Sequence, residues 1–379
     1  NLASELKRMS GIDRDYDVSM EGCVEQEIAN SSCRGCANGQ IQYLERAKIN
    51  YLWYNKLLET REAMAVQFNE MAKVIVGYTG FVGSNLCVSH QFDACYNSRN
   101  IENAFGTHPD LLIYSGVRAE MFLANNFANE DLATIEEAIE NIRRIAPKRI
   151  VLISTIAVYN KTYGVDESTP INKELSAPYG CNRRILEEWV EHNYPDSLIV
   201  RLPGIYGINL KKNFLFDMIH IIPTMLKEDK YEELSKKSKL IASSYSMQGN
   251  GFLKCSVKDK IILSKLKREF KNLGFTALSF TDSRGIYQYY CLSHLWSVIE
   301  KALAININVL NIAVEPITAA EIYEYVYEGE KFVNELDKPI AHYDFKTIHD
   351  IELGGTNGYL LGKKTCLDEI KQFVLSQLL

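Results

Sequence analysis

Three glycines at the end of an apolar run are the residues of this chain best suited to bind a phosphate group. The run Lys73–Val76 stops at Gly77, and Gly80 and Gly83 follow at intervals of three, before a segment that can form a helix. The first glycine permits a tight turn, the second lets backbone N–H groups approach a pyrophosphate, and the third lets the helix pack on the strand. The positive amino-terminal end of that helix faces the anion. Taken alone, the motif is also compatible with an ordinary turn that contains a packing glycine.

A second group of residues could handle a proton. Ser154 and Thr155 close an apolar run, and Tyr179 follows about two dozen residues later. Arg183 lies four residues beyond Tyr179, and residues with this spacing share one face of a helix, so both side chains can reach one ligand. Another apolar run ends at Pro203.

Together with the glycine turn, these segments resemble the extended short-chain dehydrogenase/reductase family of nucleotide-sugar epimerases, dehydratases and 4-ketoreductases, from about residue 71 to the carboxyl terminus. The resemblance implies hydride transfer with a nicotinamide cofactor and a nucleotide-linked sugar as substrate. In that family a tyrosine is the general acid/base, and a lysine four residues later lowers its pKa and holds the nicotinamide ribose. The resemblance assigns the first role to Tyr179, and it assigns hydrogen bonding to the substrate oxygen to Thr155, with Ser154 as the alternate donor.

Arg183 departs from the family pattern, which has lysine at this position. A guanidinium is a permanent cation that can still favour tyrosinate and bond to ribose hydroxyls, but it cannot join a proton relay by losing its proton. Two functions stay open. One is an NAD(P)-dependent epimerase or 4-ketoreductase with an altered relay, and the other is a catalytically impaired dinucleotide-binding scaffold.

The segment after the second strand bears on the choice of cofactor. It contains Asn97, Ser98 and Arg99 and no carboxylate, so it can hold a 2′-phosphate, which favours NADP, with NAD as the alternative. The candidate substrate-binding residues are Arg284 and Asn213. The complete set of candidate cofactor-binding residues is Gly77, Gly80, Phe81, Val82, Gly83, Asn97, Ser98, Arg99, Ser115, Gly116, Ser154, Tyr179, Arg183 and Pro203.

Strand-like and helical segments alternate from residue 71, which favours an α/β fold with a doubly wound parallel sheet of the Rossmann type. Strands are predicted at 74–76, 94–96, 111–114, 149–153 and 198–202, and helices at 131–145, 179–192, 257–273 and 365–378. Ligands of such sheets bind at the carboxyl ends of the strands, where the candidate residues fall. We therefore expect an NAD(P)-binding domain at 71–207 and a smaller substrate-binding region at 208–379 with elements that return to the first domain.

Residues 1–70 lie outside the resemblance. A short helix at 20–29 and a long one within 40–76 predict a helical hairpin, which serves either as an arm for a homo-oligomer or protein partner or as a packing appendage. Cys23, Cys33 and Cys36 cluster there, but the segment has no histidine and no fourth cysteine, so we expect a polar turn and no metal site.

Composition excludes several classes of protein. Among 379 residues, 42 Lys and Arg stand against 48 Asp and Glu, and the net charge of −6 argues against nucleic-acid binding. No apolar stretch approaches the ~18 residues of a transmembrane helix, and the first residues lack the apolar core of a secretory signal. The remaining six cysteines are scattered, which indicates reduced thiols and a cytoplasmic location.

Overall fold

The structure, a computed structural model, describes residues 71–248 and 251–378. The predicted hairpin at 1–70 and the cysteine cluster within it lie outside the described residues. Glu70–Leu379 forms one compact unit. Among the described residues, each helix is too short or too polar to cross a membrane.

Strands and helices alternate along most of the described chain. The strands are β1 (Lys73–Val76), β2 (Ala94–Tyr96), β3 (Leu111–Tyr114), β4 (Arg149–Thr155), β5 (Tyr163–Val165), β6 (Leu198–Leu202), β7 (Gly204–Tyr206), β8 (Met225–Lys227), β9 (Tyr245–Met247), β10 (Phe252–Cys255), β11 (Ile286–Tyr287), β12 (Tyr289–Cys291), β13 (Val309–Asn311), β14 (Ile317–Thr318) and β15 (Asp344–Phe345). The helices are α1 (Phe81–Ser89), α2 (Met121–Asn126), α3 (Ala128–Ile145), α4 (Pro178–Asn193), α5 (Phe214–His220), α6 (Glu228–Lys237), α7 (Lys239–Ser244), α8 (Lys260–Asn272), α9 (Leu295–Ala304), α10 (Ala319–Val326) and α11 (Lys363–Ser376).

Six parallel strands form the central sheet in the order β2-β1-β3-β4-β6-β13. Strands β1, β3 and β6 are buried along their whole length, as expected for a parallel sheet covered on both faces. The prediction of a Rossmann-type parallel sheet is confirmed. The chain runs from β1 to one side for β2 and then crosses to the other side for β3, so the crevice for a ligand lies between the ends of β1 and β3.

Helices α3 and α4 pack together on the sheet through apolar stripes. Ile135 and Ile142 of α3 and Leu186 and Val190 of α4 are buried in one core cluster with residues of β1, β3 and β4. Burial of each such side chain stabilises the fold by about 1.5–3 kcal/mol. Helices α1 and α9 form a second packed pair. The ring of His90, the residue after α1, stacks on the ring of Trp296 in α9 with centroids 4.0 Å apart.

A smaller lobe has its own core. Strands β8, β10 and β9 form an antiparallel sheet, and α6, α7 and α8 contribute buried residues to the same cluster, among them Leu234, Ile241, Leu266 and Phe270. After this lobe the chain returns to the central sheet with β13.

A buried ion pair ties α4 to the sheet. The Glu187 side chain, which is 0% exposed, accepts hydrogen bonds from Arg201 of β6 at 3.0 and 2.7 Å, from Ser154 of β4 at 2.5 Å and from Arg184 at 2.9 Å. Because both carboxylate oxygens accept hydrogen bonds from these donors, the free-energy cost of burying the charge is offset. One side chain thus fixes the positions of a helix and two strands.

Replacement of Glu187 by Gln is expected to lower the free energy of unfolding by about 3–5 kcal/mol, because Arg201 stays buried without its counter-ion. The matched control is Glu188→Gln, one residue further along, where the ion-paired side chain is 39% exposed and the expected loss is below about 1 kcal/mol. Urea unfolding of the two variants measures both values. Equal losses in the free energy of unfolding would show that the buried ion pair of Glu187 stabilises the fold no more than the exposed ion pair of Glu188.

Candidate functional site

The glycine turn is closed by contacts that leave no room for side chains at its first and third glycines. Gly77 has φ +92°, and its N–H donates to the Tyr96 carbonyl oxygen at 2.7 Å. A Cβ at Gly77 would lie 2.5 Å from the Ser115 carbonyl oxygen, and one at Gly83 would lie 2.2 Å from the Gly77 carbonyl oxygen. Helix α1 can therefore approach β1 only with glycine at these positions.

The same turn fits the pyrophosphate of a dinucleotide. Within 4 Å of a Cβ built at Gly80 lies only the Gly77 carbonyl oxygen, at 3.2 Å. Gly80 is the N-cap of α1 and provides no side-chain hydrogen bond, and the first turn carries no acidic residue. The first N–H groups of α1, at Phe81 and Val82, remain available to an anion at the positive end of the helix.

The turn after β2 is held by its own side chains. The Asn97 side-chain oxygen accepts from the Arg99 N–H at 2.9 Å, and the Asn100 side-chain oxygen accepts from the Asn97 N–H at 2.7 Å. The side chains of Ser98 and Arg99 are exposed. These two side chains can contact a phosphate, whereas the Asn97 side-chain oxygen already accepts a hydrogen bond within the turn.

The end of β3 is bound to β1. Both the N–H and the hydroxyl of Ser115 donate to the Val76 carbonyl oxygen at 2.9 Å. A Cβ at Gly116 would lie 3.0 Å from a Val76 methyl group. These contacts place Ser115 and Gly116 beside Gly77, at the crevice between the two strands.

Tyr179 lies in the first turn of α4, where Pro178 starts the helix. Its ring is 7% exposed, its N–H donates to the Asn125 side chain at 2.9 Å, and its hydroxyl lies near the Thr155 hydroxyl. The next residue, Gly180, makes this placement possible, because a Cβ there would lie 2.0 Å from the Ala157 carbonyl oxygen. The structure thus brings Thr155 and Tyr179 together.

Arg183 is already paired within the protein. Its guanidinium donates to the Asp131 carboxylate and to the Arg118 carbonyl oxygen, and it stacks on the Tyr179 ring at 4.0 Å from the centroid. Asn182 donates to the same carboxylate at 2.8 Å. Both partners of the ion pair are buried, with side-chain exposures of 6% and 9%. Sequence reasoning missed Asp131, since it lies 52 residues from Arg183 and belongs to no motif.

Burial raises the pKa of Tyr179 above its ordinary value, and the nearby Arg183 charge and Thr155 hydroxyl offset this only in part. The direction is opposite to that implied by the family resemblance, in which the cation lowers the tyrosine pKa. The main physical reason is burial, and the Asp131 charge beside Arg183 raises the pKa of Tyr179 further. The Tyr179 hydroxyl is therefore protonated at neutral pH.

Four other predicted residues have contacts of their own. The Ser154 hydroxyl donates to Glu187 inside the core, which leaves Thr155 as the hydroxyl at the site. Pro203 is partly buried between β6 and β7. Asn213 caps α5 by accepting from the Phe216 N–H at 3.1 Å and donates to Ile205. The Arg284 side chain pairs with Asp282 and Glu335.

Asp217, one turn along α5 from Asn213, is a titratable group that sequence reasoning missed. Burial raises the pKa of its carboxyl to about 7. An aspartate in an amphipathic helix gives no sign in the sequence that it faces the interior. This carboxyl could exchange a proton near neutral pH.

The comparison with known families agrees with this geometry. Residues 90–241, which include Thr155, Tyr179 and Arg183, match the model of the NAD dependent epimerase/dehydratase family. The glycine turn precedes the matched residues. A search of curated proteins gives no significant match.

Several solved structures share the fold. UDP-N-acetylglucosamine 4-epimerase from Methanobrevibacter ruminantium M1, in complex with UDP-N-acetylmuramic acid, aligns with a TM-score of 0.53 and 12% identity over 81% of this chain and 99% of that chain. dTDP-4-dehydrorhamnose reductase from Bacillus anthracis str. Ames, in complex with NADP, aligns with a TM-score of 0.51 and 13% identity over 81% and 98%. The corresponding reductase from Yersinia enterocolitica gives 0.51 and 12% over 81% and 99%. At these identities the likeness establishes the fold.

The close approach at Gly180 generates a prediction. Gly180→Ala is expected to destabilise the protein by about 1–3 kcal/mol, because α4 must move away from the Ala157 carbonyl to admit a methyl group. The control is Cys181→Ala in the same turn, which adds no atom and should cost less. Chemical unfolding measures both. An unchanged midpoint for Gly180→Ala would mean that this contact is not made in solution.

Proposed function

We propose that the chain is an NAD(P)-dependent oxidoreductase or epimerase that acts on a nucleotide-linked sugar, with Tyr179 as its general acid/base. The observation that carries the proposal is the juxtaposition of the Thr155 and Tyr179 hydroxyl groups. In a parallel sheet, the end of β4 lies at the same edge as the glycine turn after β1. A pyrophosphate held by the turn and a sugar oxygen held by the pair then belong to one crevice.

Each residue of the site has its own role in the proposed reaction. When bound, the nicotinamide supplies or accepts the hydride. Tyr179, kept protonated by its raised pKa, donates its proton to the sugar oxygen as a carbonyl is reduced, and takes it back when an alcohol is oxidised. Thr155 donates a hydrogen bond to the same oxygen. Arg183 stabilises the tyrosinate left after proton donation, through its charge and its position over the ring.

For the cofactor we propose NADP, with NAD as the alternative. Support comes from the exposed Ser98 and Arg99 in a turn that is fixed by Asn97 and Asn100. An exposed guanidinium beside the ribose can pair with a 2′-phosphate, and that segment carries no carboxylate to bind a 2′-hydroxyl.

For the substrate we propose a nucleotide-linked sugar, the class named for the structural relatives. Arg284 is 42% exposed at its side chain, so it could exchange one ion pair for a phosphate of the substrate. Asn213 caps α5, and its amide N–H donates to the Ile205 carbonyl oxygen of β7. Asp217, one turn further along α5, is a further candidate for contact with the substrate.

A second function is favoured by one observation. Because Arg183 is paired with Asp131 and with the Arg118 carbonyl oxygen, two of its five N–H groups are already used within the protein, and its charge is shared with a carboxylate. This supports the alternative of a dinucleotide-binding scaffold with impaired turnover, for which residues 1–70 would recruit a partner.

Cofactor choice is tested by calorimetry. We expect NADPH to bind more tightly than NADH, and Arg99→Ala to weaken NADPH binding by about 10-fold while NADH binding is unchanged, because one charge-assisted hydrogen bond is lost. Arg268→Ala, which removes an exposed arginine from α8, is the control. Gly80→Asp should abolish binding of both. Tighter binding of NADH would identify Arg99 as a plain surface charge, and no binding of either at millimolar concentration would reject the cofactor assignment.

Catalysis is tested by oxidation of NADPH with 4-keto nucleotide sugars. Tyr179→Phe is expected to lower the rate by ~10²–10⁴-fold while the dinucleotide still binds. Tyr163→Phe, at an exposed tyrosine, should leave the rate unchanged. Full activity of Tyr179→Phe would remove Tyr179 from the mechanism whatever the substrate.

The pH profile tests Arg183. As an acid, Tyr179 is active below its pKa, so the rate falls as the pH rises through that pKa. Arg183→Gln removes a charge that lowers the pKa, so the falling limb should move to higher pH. Arg183→Lys keeps the cation and should retain or increase activity with a shifted profile. A wild-type protein that binds NADPH but oxidises it with none of these sugars would support the scaffold instead.

A further inference from the structure

We propose that Cys291, His294 and Glu369 form a zinc site outside the dinucleotide crevice. Their ligand atoms all lie within 4.8 Å of one another, and the distance from His294 Nε2 to Glu369 Oε1 is 3.0 Å. A thiolate, an imidazole and a carboxylate are the donor set that zinc takes in proteins. Among the described residues, no other group of three such side chains comes together in this way.

Three elements position the donors. Cys291 ends β12, His294 ends the single turn Leu292–His294 that follows it, and Glu369 lies in the middle of α11. Two ligands three residues apart on a turn, with a third from a helix, form a compact arrangement that needs little movement to close on an ion. This site could not be predicted from the sequence, because Glu369 is 75 residues from His294.

The separations suit a tetrahedral ion. With zinc–ligand distances of about 2.0–2.3 Å, ligand atoms around the metal lie about 3.3–3.8 Å apart. Small rotations of these partly or fully exposed side chains bring the observed distances to these values. The side chains of His294 and Glu369 are 48% and 25% exposed, so an ion can enter from solvent. Three protein ligands leave the fourth position for water.

A second, independent observation points to a missing partner at this place. The hydroxyl groups of Tyr206 and Tyr290 are buried, and neither has a hydrogen-bond partner of normal geometry in the described part of the chain. Tyr206 is the register partner of Cys291 in the β7–β12 pair, and the titratable groups that face its hydroxyl are Cys291, Glu369 and Cys366. A buried hydroxyl without a partner is rare, and a metal-bound water beside it would supply one.

The bound ion would join the turn after β12 to the carboxyl-terminal helix. Strand β12 is paired with β7. The site would thus act as a structural clamp between this strand pair and the carboxyl-terminal helix. The alternative is a surface ion pair between His294 and Glu369 with a thiol beside it.

The test uses the full chain with Cys23, Cys33 and Cys36 changed to Ser, so that the amino-terminal cysteines cannot bind the ion. Titration with Co²⁺ should give the near-ultraviolet band of sulfur-to-cobalt charge transfer, saturating at one ion per chain, and Zn²⁺ should displace the cobalt. Cys291→Ser should abolish the band. His294→Ala and Glu369→Gln should weaken binding by more than the roughly 10- to 100-fold that loss of a ligand's hydrogen-bond partner costs. Cys255→Ser, at a partly buried thiol in β10, is the matched control and should change nothing.

Two further measurements distinguish loss of the zinc site from misfolding of a variant. Zinc should raise the melting temperature of the background protein and leave that of Cys291→Ser unchanged, since a ligand stabilises only the state that binds it. Tyr206→Phe should weaken zinc binding and leave the metal-free protein as stable or more so, because it removes an unpaired hydroxyl. Absence of the cobalt band in the background protein, or its persistence in Cys291→Ser, overturns the proposal.

Discussion

The buried ion pair between Glu187 and Arg201 is the interaction on which the placement of the site depends. The Ser154 hydroxyl of β4 donates to Glu187, and the next residue, Thr155, lies near Tyr179 of the same helix. The same carboxylate therefore fixes both the strand that carries Thr155 and the helix that carries Tyr179. A displacement of α4 would separate these two residues, and the charged contacts in the core resist that displacement.

A second ion pair on the same helix determines the electrostatics of the site. Arg183 lies one turn before Glu187, and its pairing with Asp131 converts a single positive charge into a nearly neutral pair beside the Tyr179 ring. Burial then dominates, and the pKa of Tyr179 is raised.

Sequence patterns predicted the sheet well and the polar contacts poorly. Strands β2, β3 and β6 have the predicted bounds, because short apolar runs between polar segments mark buried parallel strands clearly. Helix α3 begins three residues earlier than predicted, at Ala128, since helix starts leave a weaker signal. Local spacing also pointed to Thr155 and Tyr179. Asp131 could not be predicted, because its partner is distant in the chain and only the folded structure brings them together.

The polar network that starts at Glu187 does not end at Arg201. Arg201 donates to the Tyr159 hydroxyl at 2.8 Å, Asn311 donates to the same oxygen at 2.9 Å, and Asn311 also donates to the Lys346 carbonyl oxygen at 2.9 Å. During synthesis, the glycine turn and α4 leave the ribosome long before Lys346. Contacts at such separation form late, since a long loop must close first. A nascent chain can therefore form the glycine turn while the helix that carries Tyr179 still lacks its final support, and assembly of the candidate site is a late event in folding.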